Sequence, residues 1–473
     1  MTSLIVTGHK INAWAVSWEK AYETHFSGKS VEILNLDPIR SIFKNSYLLE
    51  KEFSRNLNIK ISFSGFFRTI WLIFKCRIQA NSWLKAATSV HQWQLYRDEV
   101  FDEVSISRVL RSLLARTMGT SNFNLEECNR NLVLETLTQL FYSYHSTLKY
   151  LNSKDYFTEG FVCGGRDSTS AGIIAAFRRK RIPVRIIETT GIPTRWMTYQ
   201  VSPHYAPEFW SYLSQFGKIQ LTDEVSNWWK ERLRGVDHYS QRDWGLTRDS
   251  GLISNSLKEL EFVTFFTTSD FEIPIFPEFD YIESEFQDQY EALNNLINVA
   301  KEFDLFVVVR RHPNSLDLMG NDRESNKWRE ISRLPNVVYI PPSDRTDSIE
   351  LLRRSKAVFT FKSSIGVEAL WLNKPAYAMG SAKWAYTSEI RCWTMNKLRT
   401  IFEKDFHQEN TQYHAILWAK LMCTMGCAYQ FFEKTNARIA IFKGKKLSSE
   451  SRLRFFLTHL IFLISDFFAK LVI

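Results

Sequence analysis

Residues 357–379 read AVFTFKSSIGVEALWLNKPAYAM and contain an apolar run, a helical pattern and a second apolar run. The runs 357–361 and 375–379 have the length of buried strands, and residues 367–372 between them fit a helix. A strand, a helix and a strand joined by short turns are typical of a parallel sheet with helices on its faces. This stretch therefore predicts an α/β fold.

The same alternation extends outward from this stretch in two series. The nearer series predicts strands at 262–267, 305–309 and 337–340 and helices at 289–303 and 348–354. The earlier series predicts, in order, strand 4–7, helix 13–24, strand 31–36, a strand that ends at 163, helix 170–180 and strand 183–188. Two series of this kind predict two parallel sheets.

We therefore predict two Rossmann-like domains that face a cleft, with extra helices and an amphipathic C-terminal tail. The N-terminal domain spans 1–250 and contains a helical insertion near 50–150. The second domain spans 251–400, and 401–473 are predicted as C-terminal helices and a basic, aromatic tail. Ligands of such sheets bind outside the carboxyl ends of the strands, so candidate residues are sought in the loops that follow strands.

The composition narrows the class of partner. The 473 residues include 60 Lys plus Arg against 51 Asp plus Glu, a net charge of +9, and 15% are aromatic. A basic chain favours acidic partners. Zinc-finger spacing, RNA-binding aromatic motifs and long Lys/Arg runs are absent from the sequence, so we expect phosphate or membrane contacts and no nucleic acid. Six cysteines without a CxxC pair favour a reducing, cytoplasmic compartment.

The C-terminal tail combines basic and aromatic residues. Residues 455–473 read FFLTHLIFLISDFFAKLVI, and they follow a basic cluster made of Lys443, Lys445, Lys446, Arg452 and Arg454. The charges within the tail argue against a membrane span, whereas an apolar helix beside basic residues suits the surface of an anionic membrane. We expect contact with the inner face of the membrane; the alternative is a helix packed on the body of the protein.

Arg310, Arg311, His312 and Pro313 follow directly after the predicted strand 305–309. Guanidinium groups present a fork of donors to phosphate oxygens, and a histidine can donate to the same group or to a leaving oxygen. The sequence thus predicts a phosphate-binding loop here. The alternative is two surface arginines and a loop histidine.

Lys362, Ser363, Ser364, Gly366 and Glu368 lie between the predicted strand 357–361 and its helix. Two hydroxyls, a lysine and the N–H groups of a helix start suit a phosphate, the glycine permits close approach, and the glutamate can accept from ribose hydroxyls. Alternatively, a serine caps the helix. The sequence contains neither GxGxxG nor GxxxxGK[ST], so neither a dinucleotide fingerprint nor a P-loop is present.

The first domain contributes two carboxylates that follow strands. Glu188 ends an apolar strand and is a candidate general base for an acceptor hydroxyl, while Asp167 is either a second candidate or the cap of the next helix. Arg166 and the loop histidine His204 are further cleft candidates.

Several of these motifs resemble a known family. The strings VVRRHPN (308–314), NVVYIP (336–341) and KSSIGVEA (362–369) resemble the capsule and surface polysaccharide biosynthesis proteins. These look like GT-B glycosyltransferases, related in pattern to Kdo transferases and bacterial sialyltransferases. The resemblance implies that the domain 1–250 takes the acceptor and that the domain 251–400 binds the donor nucleotide, typically CMP. His312-Pro313 and Ser363-Ser364 would hold this nucleotide.

The resemblance covers roughly 155–385 and includes departures in the first domain. The family often has NGR followed by ExG. Here Gly164 stands where Asn is usual, and Thr189-Thr190 lengthens the second motif by one residue. These departures weaken the catalytic assignment of Arg166 and Glu188.

The resemblance implies a glycosyltransferase that moves a sugar from a nucleotide-activated donor, CMP-linked by preference, to a surface polysaccharide or glycolipid. The sequence contains no convincing DxD-like pair in a loop after a strand, and GT-B enzymes do not need one, so we expect neither a metal nor another cofactor. One alternative is a CDP-polyol phosphotransferase of the teichoic-acid type. The other is a non-catalytic scaffold for capsule assembly.

Deletion of residues 441–473 tests the expected membrane contact. We predict that the truncated protein loses most of its binding to anionic vesicles in a sedimentation assay, because the basic cluster and the apolar tail are both removed. Unchanged binding, with the full-length protein sedimented in parallel, would contradict the membrane role of the tail.

Overall fold

The computed structural model describes most of the chain up to residue 448. The described residues are 2–7, 11–36, 60–63, 66–93, 96, 104–118, 123–165, 167–190, 192, 194–217, 219–235, 251–269, 276, 281–315, 326–430, 433–436, 439–442 and 445–448. The predicted apolar tail 455–473 lies outside them.

Seven strands form the first sheet of the described structure, in the order β12-β6-β5-β4-β1-β2-β3. They are β1 (Thr2–Thr7), β2 (Ser30–Asn35), β3 (Lys60–Phe63), β4 (Phe157–Cys163), β5 (Val184–Thr189), β6 (Arg195–Tyr199) and β12 (Cys427–Ala428). Strands β1 to β5 run parallel, and β6 is antiparallel to β5. The parallel part has the order 3-2-1-4-5, which is that of a Rossmann half.

The second sheet repeats this order with five strands, β11-β10-β7-β8-β9, all parallel to their neighbours. They are β7 (Phe262–Phe266), β8 (Phe306–Arg310), β9 (Val337–Ile340), β10 (Val358–Thr360) and β11 (Ala376–Ala378). Their side chains are mostly buried because helices cover both faces, which explains the continuous apolar runs in the sequence. The predicted α/β fold with two Rossmann-like sheets is confirmed.

Helices connect the strands and fill the predicted insertion. Those associated with the first sheet are α1 (Ile11–Phe26), α2 (Phe66–Thr88), α3 (Ile106–Met118), α4 (Arg130–Asn152), α5 (Ser168–Arg179), α6 (Ala206–Gln215) and α7 (Asp223–Leu233). Those that follow are α8 (Gln289–Glu302), α9 (Asn326–Ile331), α10 (Ser348–Arg354), α11 (Ile365–Trp371), α12 (Met395–Glu403) and α13 (Thr411–Thr424).

After α13 the chain returns to the first sheet, which the sequence did not predict. Strand β12 pairs antiparallel with β6, and the Arg195 guanidinium donates to the carbonyl oxygens of Thr424, Met425 and Gly426 at 2.9, 3.0 and 2.5 Å. Both carboxylate oxygens of the buried Glu19 accept from the backbone N–H of Gln430. Residues 411–430 therefore tie the second sheet to the first.

Strands β13 (Glu433–Asn436), β14 (Ile439–Phe442) and β15 (Lys445–Ser448) form a small antiparallel sheet. We predicted helices and a tail over 401–473, so these strands are a difference between the sequence analysis and the structure. Each strand has four residues, and β13 (EKTN) and β15 (KKLS) are largely polar, so only β14 (IAIF) contains the apolar run that indicates a strand.

A continuous cluster of buried apolar side chains includes members of both sheets, such as Val6 and Val162 from the first and Val308 and Val358 from the second. On α2, Ile73 is buried and Trp71 is 58% exposed. Among the described residues, no helix combines the length and the apolar character that crossing a bilayer requires.

The buried carboxylate of Glu32 on β2 is the centre of a polar network beside the first sheet. Its carboxylate accepts from the hydroxyls of Tyr150 and Tyr156, both at 2.6 Å, and from Nζ of Lys154 at 2.5 Å. Burial by itself raises the pKa of this carboxyl, but the three donors outweigh it and lower the pKa from 4.5 to about 2.

We predict that Glu32 makes the protein sensitive to acid. Because the folded pKa lies below the unfolded one, the stabilisation is complete above pH 4.5 and is lost as the pH falls towards about 2. Replacement Glu32→Gln should lower the free energy of unfolding by about 2 kcal/mol near neutral pH and flatten its decline over that window. Urea unfolding at several pH values measures both effects; an unchanged pH slope in the variant would show that another group is responsible.

Candidate functional site

The order of the second sheet creates a crevice at its carboxyl edge. Strand β8 pairs with one side of β7 and β10 with the other, so the connections leave β7 towards opposite sides. Adjacent strands lie ~4.8 Å apart, which places the loops after β8 and β10 ~10 Å from each other across the end of β7. Both predicted phosphate loops follow these two strands, at the position where Rossmann-like sheets bind ligands.

The loop after β8, residues 311–315, is the histidine loop. Two backbone groups fix it against the end of β7. The N–H of His312 donates to Oγ1 of Thr267 at 2.8 Å, and the N–H of Thr267 donates to the carbonyl oxygen of Arg310 at 3.1 Å. The N–H of Ser315 then donates to the carbonyl oxygen of His312 at 2.8 Å and closes a tight turn through Pro313. His312 is half-buried, so it is held in place while remaining accessible.

Arg310 and Arg311 are buried and contact the protein itself. Arg310 donates to the carbonyl oxygens of Pro341 and Asp344 at 2.5 and 2.8 Å. Burial lowers the pKa of its guanidinium, and the Asp344 carboxylate opposes that change. Arg311 donates to the Tyr339 hydroxyl at 3.1 Å, and its guanidinium lies 4.3 Å from the ring centroid of Trp328. We assign both side chains to the support of the loops after β8 and β9.

The paired serines lie in the serine loop, residues 361–364, between β10 and α11. Ser364 is exposed, and Ser363 and Lys362 are half-buried. Ser364 is the N-cap residue of α11, but its hydroxyl makes no capping hydrogen bond. The carbonyl oxygen of Ser363 instead accepts from the indole N–H of Trp384 at 3.0 Å, so a tryptophan from the loop after β11 braces the serine loop.

Glu368 forms an ion pair that the sequence analysis did not anticipate. It is buried, and its Oε1 accepts from Nε of Arg232 on α7 at 2.8 Å. The same guanidinium donates from Nη2 to Oγ of Ser364 at 3.1 Å. Trp229, one turn earlier on α7, stacks on Trp371 with 5.0 Å between the ring centroids and 7° between the planes. Helix α7 is thus packed directly against the serine loop and its helix.

Gly366 is required by packing. A Cβ atom at this position would lie 2.2 Å from Cζ2 of Trp384, and two further atoms of that indole are within 3.0 Å. The missing side chain therefore makes room for Trp384, which in turn holds Ser363. We expected this glycine to permit close approach of a phosphate, and the structure gives it a packing role.

Two buried serines beside the crevice have hydroxyls that find no partner among the described residues. Ser269 follows β7 and is 6% exposed, and Ser315 ends the histidine loop and is 1% exposed. A buried hydroxyl that makes no hydrogen bond costs free energy unless a ligand or water completes it. The second carboxylate oxygen of Glu368, Oε2, is also buried and accepts no hydrogen bond from the described residues. Each of these groups would gain a hydrogen-bond partner if a polar ligand or a water molecule reached it.

Glu188 lies at the carboxyl end of β5 in the first sheet. It is 9% exposed, and its Oε1 accepts from the N–H of Thr189 at 3.1 Å. Gly164 after β4 adopts φ of +86°, and a Cβ there would lie 3.5 Å from Oε2 of Glu188. This left-handed conformation favours glycine, which accounts for Gly164 in this turn.

The hydroxyl of Tyr429, which directly follows β12, lies 3.2 Å from Oγ1 of Thr189. Burial raises the pKa of the Tyr429 phenol well above 10, and Glu188 is among the neighbours that raise it further. The returning segment thus places a neutral phenol close to the candidate base.

The other candidates predicted in the first domain are Asp167, Arg166 and His204. Asp167 is the N-cap of α5, where its Oδ1 accepts from the N–H of Ser170 in a capping box, as in the alternative given for it. Arg166 lies outside the described residues. His204 is half-buried in the loop after β6, and the carbonyl oxygen of its neighbour Pro203 accepts from Nζ of Lys383 at 3.2 Å, so this loop contacts the second domain.

A family model matches part of the chain. Residues 215–421 match the family model described as capsule polysaccharide biosynthesis protein. The resemblance predicted from the sequence is confirmed for this stretch, which contains the whole second sheet, the histidine loop, the serine loop and Arg232. A search of curated proteins found no match.

Solved structures with a similar chain path include sugar transferases and epimerases. A KpsC beta Kdo 2,4 transferase from Thermosulfurimonas dismutans is 13% identical over 64% of this chain and 87% of that one, with a TM-score of 0.36. A UDP-GlcNAc 2-epimerase from Neisseria meningitidis, bound to UDP-GlcNAc, is 12% identical over 89% and 98%, with a TM-score of 0.31. The Methanocaldococcus jannaschii UDP-GlcNAc 2-epimerase is 10% identical over 90% of this chain and 100% of that one, with a TM-score of 0.31. The description of the fold rests on the order of the strands.

Metal-binding groups are a separate question. Among the described residues, no three His, Cys, Asp or Glu side chains come together in an arrangement that could hold a metal ion.

The packing role of Gly366 leads to a test. We predict that Gly366→Ala lowers the free energy of unfolding by about 1–3 kcal/mol, because the added methyl overlaps Trp384. Gly217→Ala is the matched control, since a Cβ there meets no atom within 4 Å, and it should change stability by less than about 0.5 kcal/mol. Equal unfolding midpoints for the two variants would contradict the packing role.

Proposed function

We propose that the protein is a glycosyltransferase that uses a nucleotide-activated sugar, with a CMP-linked donor preferred. The acceptor in this proposal is a surface polysaccharide or a glycolipid. The observation that carries the proposal is the crevice of the second sheet, where the histidine loop and the serine loop flank β7 within the stretch that matches the capsule polysaccharide biosynthesis family.

The proposed donor site uses polar groups from both loops. His312 would donate to a phosphate or leaving oxygen, and Lys362 and the hydroxyls of Ser363 and Ser364 would bind the same anion. The buried free oxygen of Glu368 would accept from ribose hydroxyls. Groups that are already fixed need little reorganisation when negative charge develops on the leaving nucleotide, which is how such a site favours the transition state.

Glu188 is the proposed general base of the first domain. It ends a parallel strand at the edge of the sheet where ligands bind, and its position is fixed by the N–H of Thr189. Asp167 is the weaker candidate because its carboxylate caps α5. We propose that Glu188 accepts the proton of the acceptor hydroxyl as that oxygen attacks the donor sugar.

The proposed location is the cytoplasmic face of the membrane, where a lipid-linked or growing polysaccharide acceptor would be available. The support for this location is the basic chain with its apolar tail. In this proposal neither a metal nor another cofactor takes part.

A donor screen tests the function. The purified protein is incubated with CMP-, CDP- and UDP-activated donors and an acceptor glycolipid, and the products are weighed by mass spectrometry. A product heavier by one sugar residue, with release of CMP, is expected. A product heavier by a phosphopolyol would identify the phosphotransferase, and the absence of both nucleotide binding and product would favour the scaffold.

Three controls complete the screen. His312→Ala should weaken nucleotide binding in calorimetry. Glu188→Gln should retain nucleotide binding and lower kcat by about 100- to 10,000-fold, as expected for loss of a general base. Turnover should persist in excess EDTA, and its loss there would disprove the metal-independent reaction.

A further inference from the structure

A donor nucleotide carries negative charge that a protein must balance, and the two arginines predicted for this task are engaged elsewhere. The terminal nitrogens of Arg310 donate to backbone carbonyl oxygens, and Arg311 contacts Tyr339 and Trp328. Both side chains are at most 3% exposed. A guanidinium that contacts the donor, in addition to Lys362 and His312, would therefore come from another element.

Arg232 reaches the serine loop from helix α7. Its Nη2 lies 3.1 Å from Oγ of Ser364, which is an exposed side chain of the crevice loop. An anion that accepts a hydrogen bond from Ser364 therefore comes within reach of the same guanidinium. The Arg232 side chain is 26% exposed, so it is partly shielded from water without being enclosed. Partial shielding strengthens its attraction for an anion.

Glu368 holds the guanidinium in a fixed orientation. Nε of Arg232 donates to Oε1 of this buried carboxylate at 2.8 Å, and the stack of Trp229 on Trp371 fixes the helix from which Arg232 extends. The planar fork of an arginine can bond a carboxylate on one edge and present donors to a phosphate on another. A lysine, with a single ammonium group, cannot meet both demands with the same geometry.

We propose that Arg232 binds the phosphate of the donor nucleotide, together with Ser364, and that Glu368 positions it. This inference rests on the proposed function and adds a residue that none of the sequence motifs includes. It also assigns Glu368 two tasks, one for each carboxylate oxygen: Oε1 holds the guanidinium and Oε2 remains for the ligand.

The test compares a nucleotide with its nucleoside, so that only the phosphate differs. Binding of CMP and of cytidine, and of UDP and uridine, is measured by calorimetry for the native protein and for Arg232→Gln. We expect the variant to bind the nucleotide about 10- to 100-fold more weakly, as for loss of a hydrogen bond to a charged group, and to bind the nucleoside as the native protein does. The nucleotide affinity of Arg232→Lys should fall between those of the native protein and Arg232→Gln.

Arg234→Gln is the matched control, because it removes the same charge from an exposed position at the end of the same helix. It should leave both affinities unchanged. If Arg232→Gln weakens nucleotide and nucleoside equally, or weakens neither, Arg232 does not bind the phosphate. Should the native protein bind none of the four probes, the proposed function itself fails. Thermal unfolding of each variant, with Arg232→Lys as the conservative change, shows whether a loss of affinity reflects a loss of fold.

Discussion

The site depends on one constraint, which is that two parallel strands pair with opposite sides of β7. A parallel connection has to cross over the sheet, so a strand order that reverses at β7 sends its neighbours' connections to opposite faces. The ends of β8 and β10 are then left apart above the end of β7, and only there can a ligand reach the backbone of both loops. The hydrogen bond from His312 to Thr267 closes one side of this opening, and Trp384 braces the other. Most other features of the crevice follow from that arrangement.

Arginine side chains support the fold beside this opening and at the returning chain. Arg310 donates to two backbone carbonyl oxygens of the loop after β9, and Arg311 donates to the Tyr339 hydroxyl and lies over the Trp328 ring. Arg195 does for the returning chain what Arg310 does for the loop after β9. Arg310 and Arg195 each satisfy several acceptors at once, because the donors of a guanidinium are fixed in one plane. Basic residues beside a phosphate-binding motif can therefore serve the fold, and position in sequence alone does not separate this role from ligand binding.

The second sheet could be predicted from the sequence because four of its five strands are almost completely buried and form continuous apolar runs. Val337–Ile340 and Ser348–Arg354 were predicted with the bounds that the structure has. Strand β12 has only two residues, at the edge of the first sheet, and its pairing with β6 joins segments about 230 residues apart, so no local pattern indicates it. The serine loop was found through its hydroxyls. Arg232 was missed because its partners Ser364 and Glu368 are 132 and 136 residues away in the chain, and one arginine on an amphipathic helix has no distinguishing pattern.

The return of the chain through β12 also limits how the two halves of the molecule can move. The chain passes from the first sheet to the second along α6 and α7, and it passes back at Thr424–Ala428, where Arg195 and Glu19 secure it. Two bodies joined by a single flexible connection can separate, tilt and rotate. With two anchored crossings, the remaining freedom is chiefly a rotation about the line that joins them. A rotation of this kind would either carry α7 along with the serine loop or turn it away from that loop, and the distance between Arg232 and Ser364 would distinguish the two.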